Sequence, residues 1–291
     1  MTVLDVISIV IHSSTGIIGI IGNIAILAAI KFKSPKNLKS YSILLANCAL
    51  IDIVACASTS LTIERMIAFT DVTANIYLGP CSFVSGMFCH VLHSVMLQTN
   101  THSLFLIVIA FCYRYYVIGR QAPSPLKVKA LCIVIYIPTL IVVMIGLFIN
   151  DSSESVREAF RIHHPDHELD NYVLEGHVDV GIRLSSVIIQ IYMIVPVIPL
   201  LVIVFVVIRK LKEREEVMTT KTKEMHKSLV KVLSFQASLP IFFFLSTFCY
   251  VLVKRKICNF IVLEYAITWF HPFMPSLAPL ITLFNVKPFK K

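Results

Sequence analysis

Apolar residues in this chain come in runs of about twenty or more, the length that crosses roughly 30 Å of hydrocarbon at about 1.5 Å per helical residue. Seven such runs fall at 6–30, 41–63, 87–118, 130–149, 184–208, 232–253 and 260–284. The pattern predicts an all-α membrane protein, a seven-transmembrane helix bundle that makes residues 1–291 a single domain. The first run is interrupted by His12, Ser13, Ser14 and Thr15. A cleaved leader would look similar, but no basic segment precedes this run, no small-residue cleavage site follows, and apolar sequence continues past Asn23. It is therefore read as a helix.

Lysine and arginine in the short connections set the expected orientation. Eighteen of them lie on one side, in the stretches around Lys31, Arg114, Arg209 and Lys287, and six on the other. The expectation is an N-terminus outside and a C-terminus inside, with a basic inner loop at 209–228 and an acidic outer loop at 150–181, a folded or solvated lid. Seven spans do not divide into two equal inverted halves, which weakens a transporter reading.

Composition agrees with this placement. Hydrophobic residues make up 57% and charged residues 15%, against about 45–50% and 25% in soluble domains. The formal charge of +9 is absorbed by topology and by attraction to anionic lipid, so nucleic acid is not an expected partner and membrane lipid is. No Gly-x-Ser-x-Gly elbow, His-Glu-x-x-His helix or phosphate loop is present, and the reading is of a non-enzyme with no cofactor. His163, His164 and His167 lack a second set of metal ligands at workable spacing, so no metal is expected. The last run has no lysine on which a retinal Schiff base could form.

Ionisable and amide groups inside a bilayer each ask for a reason. Asp52 lies midway along the second run and Asn23 equally deep in the first. Together they read either as an ion- or proton-linked switch or as a hydrogen-bonded clamp between two helices. In the third run His90, Ser94, Gln98 and Thr101 recur along one stripe, with His93, Asn100 and His102 off it. The outer part of that stripe, His90 to Gln98, lines a small-molecule pocket or only bonds helix to helix. Glu264, one turn into the last run, is a second charged pocket group or a snorkelling partner of Lys254 or Lys256. Seven prolines fall inside runs, and Pro240 and Pro279 are the expected hinges. Arg114, at the inner end of the third run, is an aromatic-flanked anchor or a latch between helix ends. Lys223 and Lys227 share one basic face that runs into the sixth helix.

Cys81, Cys89 and Cys258 lie near the oxidising side; the other five cysteines are buried filler. Two helical cysteines at 81 and 89 would stand about 12 Å apart, too far for a disulfide. A non-helical entry at Gly79, Pro80 and Gly86 makes Cys81 to Cys89 the first choice, with Cys258 as the competing partner. Asn150 opens a glycosylation sequon close to the membrane.

These residues resemble a family. Gly22-Asn23, Asn47 with Asp52, Cys89 ahead of Arg114, and Pro240 and Pro279 resemble the landmarks of the rhodopsin-like G-protein-coupled receptors. Several landmarks differ: Tyr113 precedes Arg114 where an acid is usual, Ala278 and Thr282 replace an asparagine and a tyrosine, and the second outer loop has no cysteine. The whole chain is similar to the nematode serpentine chemoreceptors of class delta, through Lys33-Ser34-Pro35, Gly79-Pro80-Cys81, Tyr113-Arg114-Tyr115-Tyr116, the string Lys221 to Lys227, and Pro279-Leu280-Ile281. The resemblance implies a multi-pass receptor in the plasma membrane of a sensory ending, activated by an external small molecule and signalling to a heterotrimeric G protein. A ligand-gated channel or transporter subunit is the alternative.

Overall fold

The described apolar runs fold into helix, the form in which a bilayer leaves backbone N–H and C=O groups partnered. The computed structural model describes residues 2–33, 39–69, 72–148, 151–163, 169, 171–178, 202–203, 205–207, 209–210, 231–232, 234–258 and 260–285. Helices α1 (Val3–Lys33), α2 (Lys39–Thr62), α3 (Gly86–Gly119) and α4 (Pro125–Leu147) correspond to the first four runs. Ser85 caps α3 by accepting from the Phe88 N–H at 3.1 Å, and Ser124 with Pro125 opens α4. These start signals are legible in the chain.

Among the described residues, five helices are long and apolar enough to cross a membrane: α1 to α4 and the stretch Ser234–Lys254. The last is interrupted by a turn at Leu239, since Pro240 brings no N–H, and its main body is α6 (Pro240–Lys254). The final run divides into α7 (Ile261–Trp269) and α8 (Phe273–Asn285). The break at 270–272 ends on Pro272, and Pro279, the expected hinge, lies inside α8. Most of the fifth run lies outside the described residues. In its described tail Val207 is buried against Leu104, Phe111, Leu239 and Met274, which ties it to the bundle core.

The chain is not all-α. At one end of the bundle β1 (Glu64–Ala68), β2 (Val72–Tyr77) and β3 (Val173–Val178) form an antiparallel sheet in the order β1-β2-β3. Glu64 pairs with Tyr77, and Tyr77 in turn with Val173. The amphipathic helix α5 (Ser153–His163) lays Val156, Ala159 and Phe160 on this sheet, against Ile67, Ala74, Ile76 and Leu174, and leaves Glu154 and Glu158 exposed. Arg157 donates to the carbonyls of Leu169 and Tyr172. Asp151 accepts from the Val178 N–H at 2.8 Å. The described part of the acidic segment is thus a folded cap.

A left-handed residue makes the turn from α2 into the cap. Ile63 has φ of 38°, costly for a β-branched residue. Its N–H still reaches the Thr59 carbonyl at 3.1 Å, while its carbonyl accepts from Leu78 N at 2.8 Å. Burial of its side chain, worth about 1.5–3 kcal/mol, offsets a conformational cost of about 1–2 kcal/mol. The next residue, Glu64, is thereby aimed into the protein.

Cys81 and Cys89 are joined by a disulfide, with Cα atoms 5.2 Å apart, and Cys258 carries a free thiol. The 3-10 turn Pro80–Phe83 and the extended Ser85 fold the approach to α3 back on itself. That removes the separation a continuous helix would impose. Replacing both cysteines by serine is expected to cost about 2.5 kcal/mol, from the entropy of a short closed loop. Thermal unfolding of purified protein, with and without reductant, checks it.

Candidate functional site

Polar side chains concentrate in the half of the bundle nearest the cap, and they converge on Glu64. This carboxylate is 1% exposed, and Oε2 lies 2.7 Å from His93 Nδ1 of α3. Thr268 of α7 donates to the Glu64 carbonyl at 2.7 Å, which pins the strand to the last run. Burial pushes the Glu64 carboxyl up, but His93, through charge and hydrogen bonding, and then His271 and His12 outweigh it. The carboxyl is held below its ordinary value. His12 comes from α1, where Nδ1 donates to the Ser8 carbonyl at 2.8 Å. His271 comes from the break between α7 and α8, where Nε2 meets Ser246 Oγ at 2.8 Å.

A second charged group borders the first. Arg65 projects from β1 to Glu264 of α7, with Nη2 to Oε2 at 2.7 Å and Nε donating to the same oxygen at 2.8 Å. Burial disfavours the Arg65 charge, yet Glu264 more than compensates and raises its affinity for the proton. The guanidinium lies 5.1 Å from the Tyr265 ring centre, and the Tyr265 hydroxyl donates to Asp5 Oδ1 of α1 at 2.6 Å. Glu264 therefore serves a network joining α1, β1 and α7. Lys254 reaches Thr73 instead, at 3.2 Å.

The stripe His90, Ser94 and Gln98 on α3 is buried. His90 Nε2 bonds the Gly146 carbonyl of α4 at 3.3 Å, and Gln98 Oε1 is buried with no hydrogen-bond partner among the described residues. His93, off that stripe, is the ring that faces Glu64. Sequence reasoning passed over Glu64, Arg65, His12, His93 and His271 as site residues. The available signal was three histidines set in apolar runs, each an ionisable group in a stretch long enough to cross the membrane.

Deeper in the bundle, Asn23 and Asp52 reach different partners. Asn23 Nδ2 donates to the carbonyls of Gly19 at 2.9 Å and Pro275 at 3.3 Å. Pro279 has no N–H to offer the carbonyl four residues before it, so Asn23 supplies the missing donor. Asp52 Oδ1 accepts from Ser103 Oγ of α3 at 2.7 Å. It borders a cavity of about 30 Å³ shared with Tyr41, Cys48, Gln236, Met274 and Ala278. That is room for about one or two waters, far below the roughly 300 Å³ or more of an ordinary ligand pocket.

At the far end of α3 Arg114 occupies the helix among Tyr113, Tyr115 and Tyr116, and Lys210 Nζ lies 4.0 Å from the Tyr115 ring centre. Lys223, Lys227 and Asn150 lie outside the described residues.

The fold is that of a helical membrane protein whose one end carries a disulfide-pinned cap over a buried charged cluster. The model of the serpentine type 7TM GPCR chemoreceptor family Srd matches residues 8–291, and the chain belongs to that family of seven-transmembrane receptors. It is 31% identical to serpentine receptor class delta-18 of Caenorhabditis elegans, over 96% of this chain and 85% of that protein. Serpentine receptor class delta-3 of the same organism is 29% identical, over 94% and 82%. The family is one of membrane receptors rather than enzymes.

Proposed function

We propose that this chain is a G-protein-coupled chemosensory receptor of the plasma membrane, with seven spans, the sheet and α5 facing the medium, and the Arg114 end facing the cytosol. The observation that carries the reading is membership of the Srd chemoreceptor family over nearly the whole chain. The outer half supplies the buried polar groups His90, Ser94 and Gln98 for an external small molecule, and the cavity at Asp52 is too small to hold one. Ligand contact favours one arrangement of α3 against α6 to α8 and shifts the population toward it. Bending at Pro240 then moves the basic face of Lys223 and Lys227 away from Arg114 and opens a cleft for the G protein. Glu264 enters the pocket only if its Arg65 pair opens.

A panel of volatile and water-soluble compounds, screened against the receptor in membranes with nucleotide exchange on a Gα subunit as readout, tests the reading. Ligand-evoked current without G protein would favour a channel instead. With an agonist in hand, Arg114→Ala and Pro240→Ala, each normalised to surface amount, are expected to lower evoked exchange about tenfold or more, a coupling of at least about 1.4 kcal/mol. Parent-like signalling by both would overturn the bending mechanism.

A further inference from the structure

Hydrogen-bond direction assigns the protons around Glu64. Ser246 Oγ gives its only hydrogen to the Ile267 carbonyl at 2.5 Å, so at 2.8 Å from His271 Nε2 it can only accept. His271 Nε2 thus carries the hydrogen. Its Nδ1 holds a bare lone pair, buried with no hydrogen-bond partner among the described residues, in a residue only 7% exposed. His93 is similarly poised. Its Nδ1 faces the carboxylate, and its Nε2 lies 3.5 Å from the Asn75 side-chain nitrogen. The Asn75 amide can offer that ring nitrogen either a donor or an acceptor. Glu64 Oε1 is also buried and without a hydrogen-bond partner among the described residues.

We propose that Glu64, His93 and His271 form a proton-binding site, in which acidity on the capped side loads a proton onto His271 Nδ1 and loosens the α7–α8 break from α3. The site rests on the receptor reading only for which side the acid comes from. With one proton shared between Glu64 and His93 the cluster is neutral; a second, on His271, sets two imidazolium rings against one carboxylate in a poorly solvated space. The other titratable groups around the cluster are His12 from α1, Arg65 on β1, Tyr77 on β2, His90 on α3, and Glu175 and His177 on β3. His93, His271 and His12 are the groups that lower the carboxyl's affinity for the proton.

The carboxylate is not the group that titrates in mild acid. Its affinity for the proton is held below the ordinary glutamate value, so the stability it contributes is present above about pH 4.3. That contribution is lost only as pH falls through the lower folded value. A change at milder acidity than that belongs to histidine.

The single tryptophan of the chain is a built-in reporter. Trp269 is the last residue of α7, two positions before His271, with its indole Nε1 buried. An imidazolium nearby quenches indole emission. Full-length receptor in nanodiscs, with both faces open to buffer, is titrated from pH 8 to 4.5 while Trp269 emission is followed. The expected result is a sigmoidal fall in emission as the pH is lowered. Glu64→Gln is expected to move the midpoint down by about one unit or more, because an opposite charge favours the cation. His271→Phe, which keeps a ring against Phe243, abolishes the fall. A flat titration of the parent overturns the proposal, as does a parent-like midpoint in folded Glu64→Gln and His271→Phe proteins. Should both variants fail to fold, the parent curve decides alone: flat overturns, sigmoidal supports. No ligand or G protein enters this readout, so a failure to couple would leave its result standing.

Discussion

Arg65→Met is expected to destabilise the protein by about 3–5 kcal/mol, because it leaves Glu264 charged and shielded from water with its partner gone. The two side chains are 11% and 12% exposed, far from the solvated geometry in which ion pairs are worth about 0–1 kcal/mol. Both nitrogen contacts converge on one carboxylate oxygen, and the guanidinium also covers the Tyr265 ring. Truncation removes packing as well as charge. The double variant Arg65→Met with Glu264→Leu is expected to regain most of the loss, since apolar replacements of similar size often match a buried pair. Heat denaturation of detergent-solubilised parent, single and double variants gives the comparison. A single-variant cost below about 1 kcal/mol would mean that the pair behaves as a surface contact. The same experiment bears on ligand recognition. If Glu264 is held chiefly by Arg65, Glu264→Gln should impair folding more than it impairs agonist potency in the protein that folds.

Apolar length made the helices readable, since a run of twenty residues in lipid has few alternatives. The described spans at α1 to α4 and Ser234–Lys254 follow from that alone. The sheet was not readable for the opposite reason. Its strands are five and six residues long, and β2 is buried at all six positions, between the helical cap and the bundle. A strand covered on both faces shows no alternation of polar and apolar residues. The site around Glu64 was hidden by sequence distance. His12, Glu64, His93 and His271 come from four separate segments, and the stripe on α3 pointed to His90 rather than to His93. Arg65 and Glu264 are 199 residues apart. Local spacing placed Glu264 nearer to Lys254 and Lys256, and the fold overruled it. Asn23 had a legible depth, but its role as donor to a carbonyl freed by Pro279 requires knowing that α1 packs on α8.

Gly79→Ala is expected to damage the seam between α2 and the cap. The Gly79 N–H donates to the Thr62 carbonyl at 3.0 Å, drawing the strand returning from β2 against the last turn of α2. A methyl group at this position would meet the Leu61 carbonyl oxygen, with the Thr62 oxygen at 2.6 Å and the Thr62 carbonyl carbon at 2.7 Å. All three are backbone atoms, so no rotamer change can make room. The chain must separate at the seam that also fixes Ile63, Glu64 and the turn leading to Cys81. The expected cost lies at or above the upper end of the roughly 1–3 kcal/mol range for overpacking. Gly86→Ala is the matched control. Its methyl would meet only the Glu175 side chain, which can swing aside, so the cost should be clearly smaller. Unfolding midpoints of the two variants in one membrane mimetic compare them. If Gly79→Ala is no less stable than Gly86→Ala, the seam yields more readily than its geometry allows. Glu64 would then be positioned by its contacts with His93 and Thr268 rather than by the turn that delivers it.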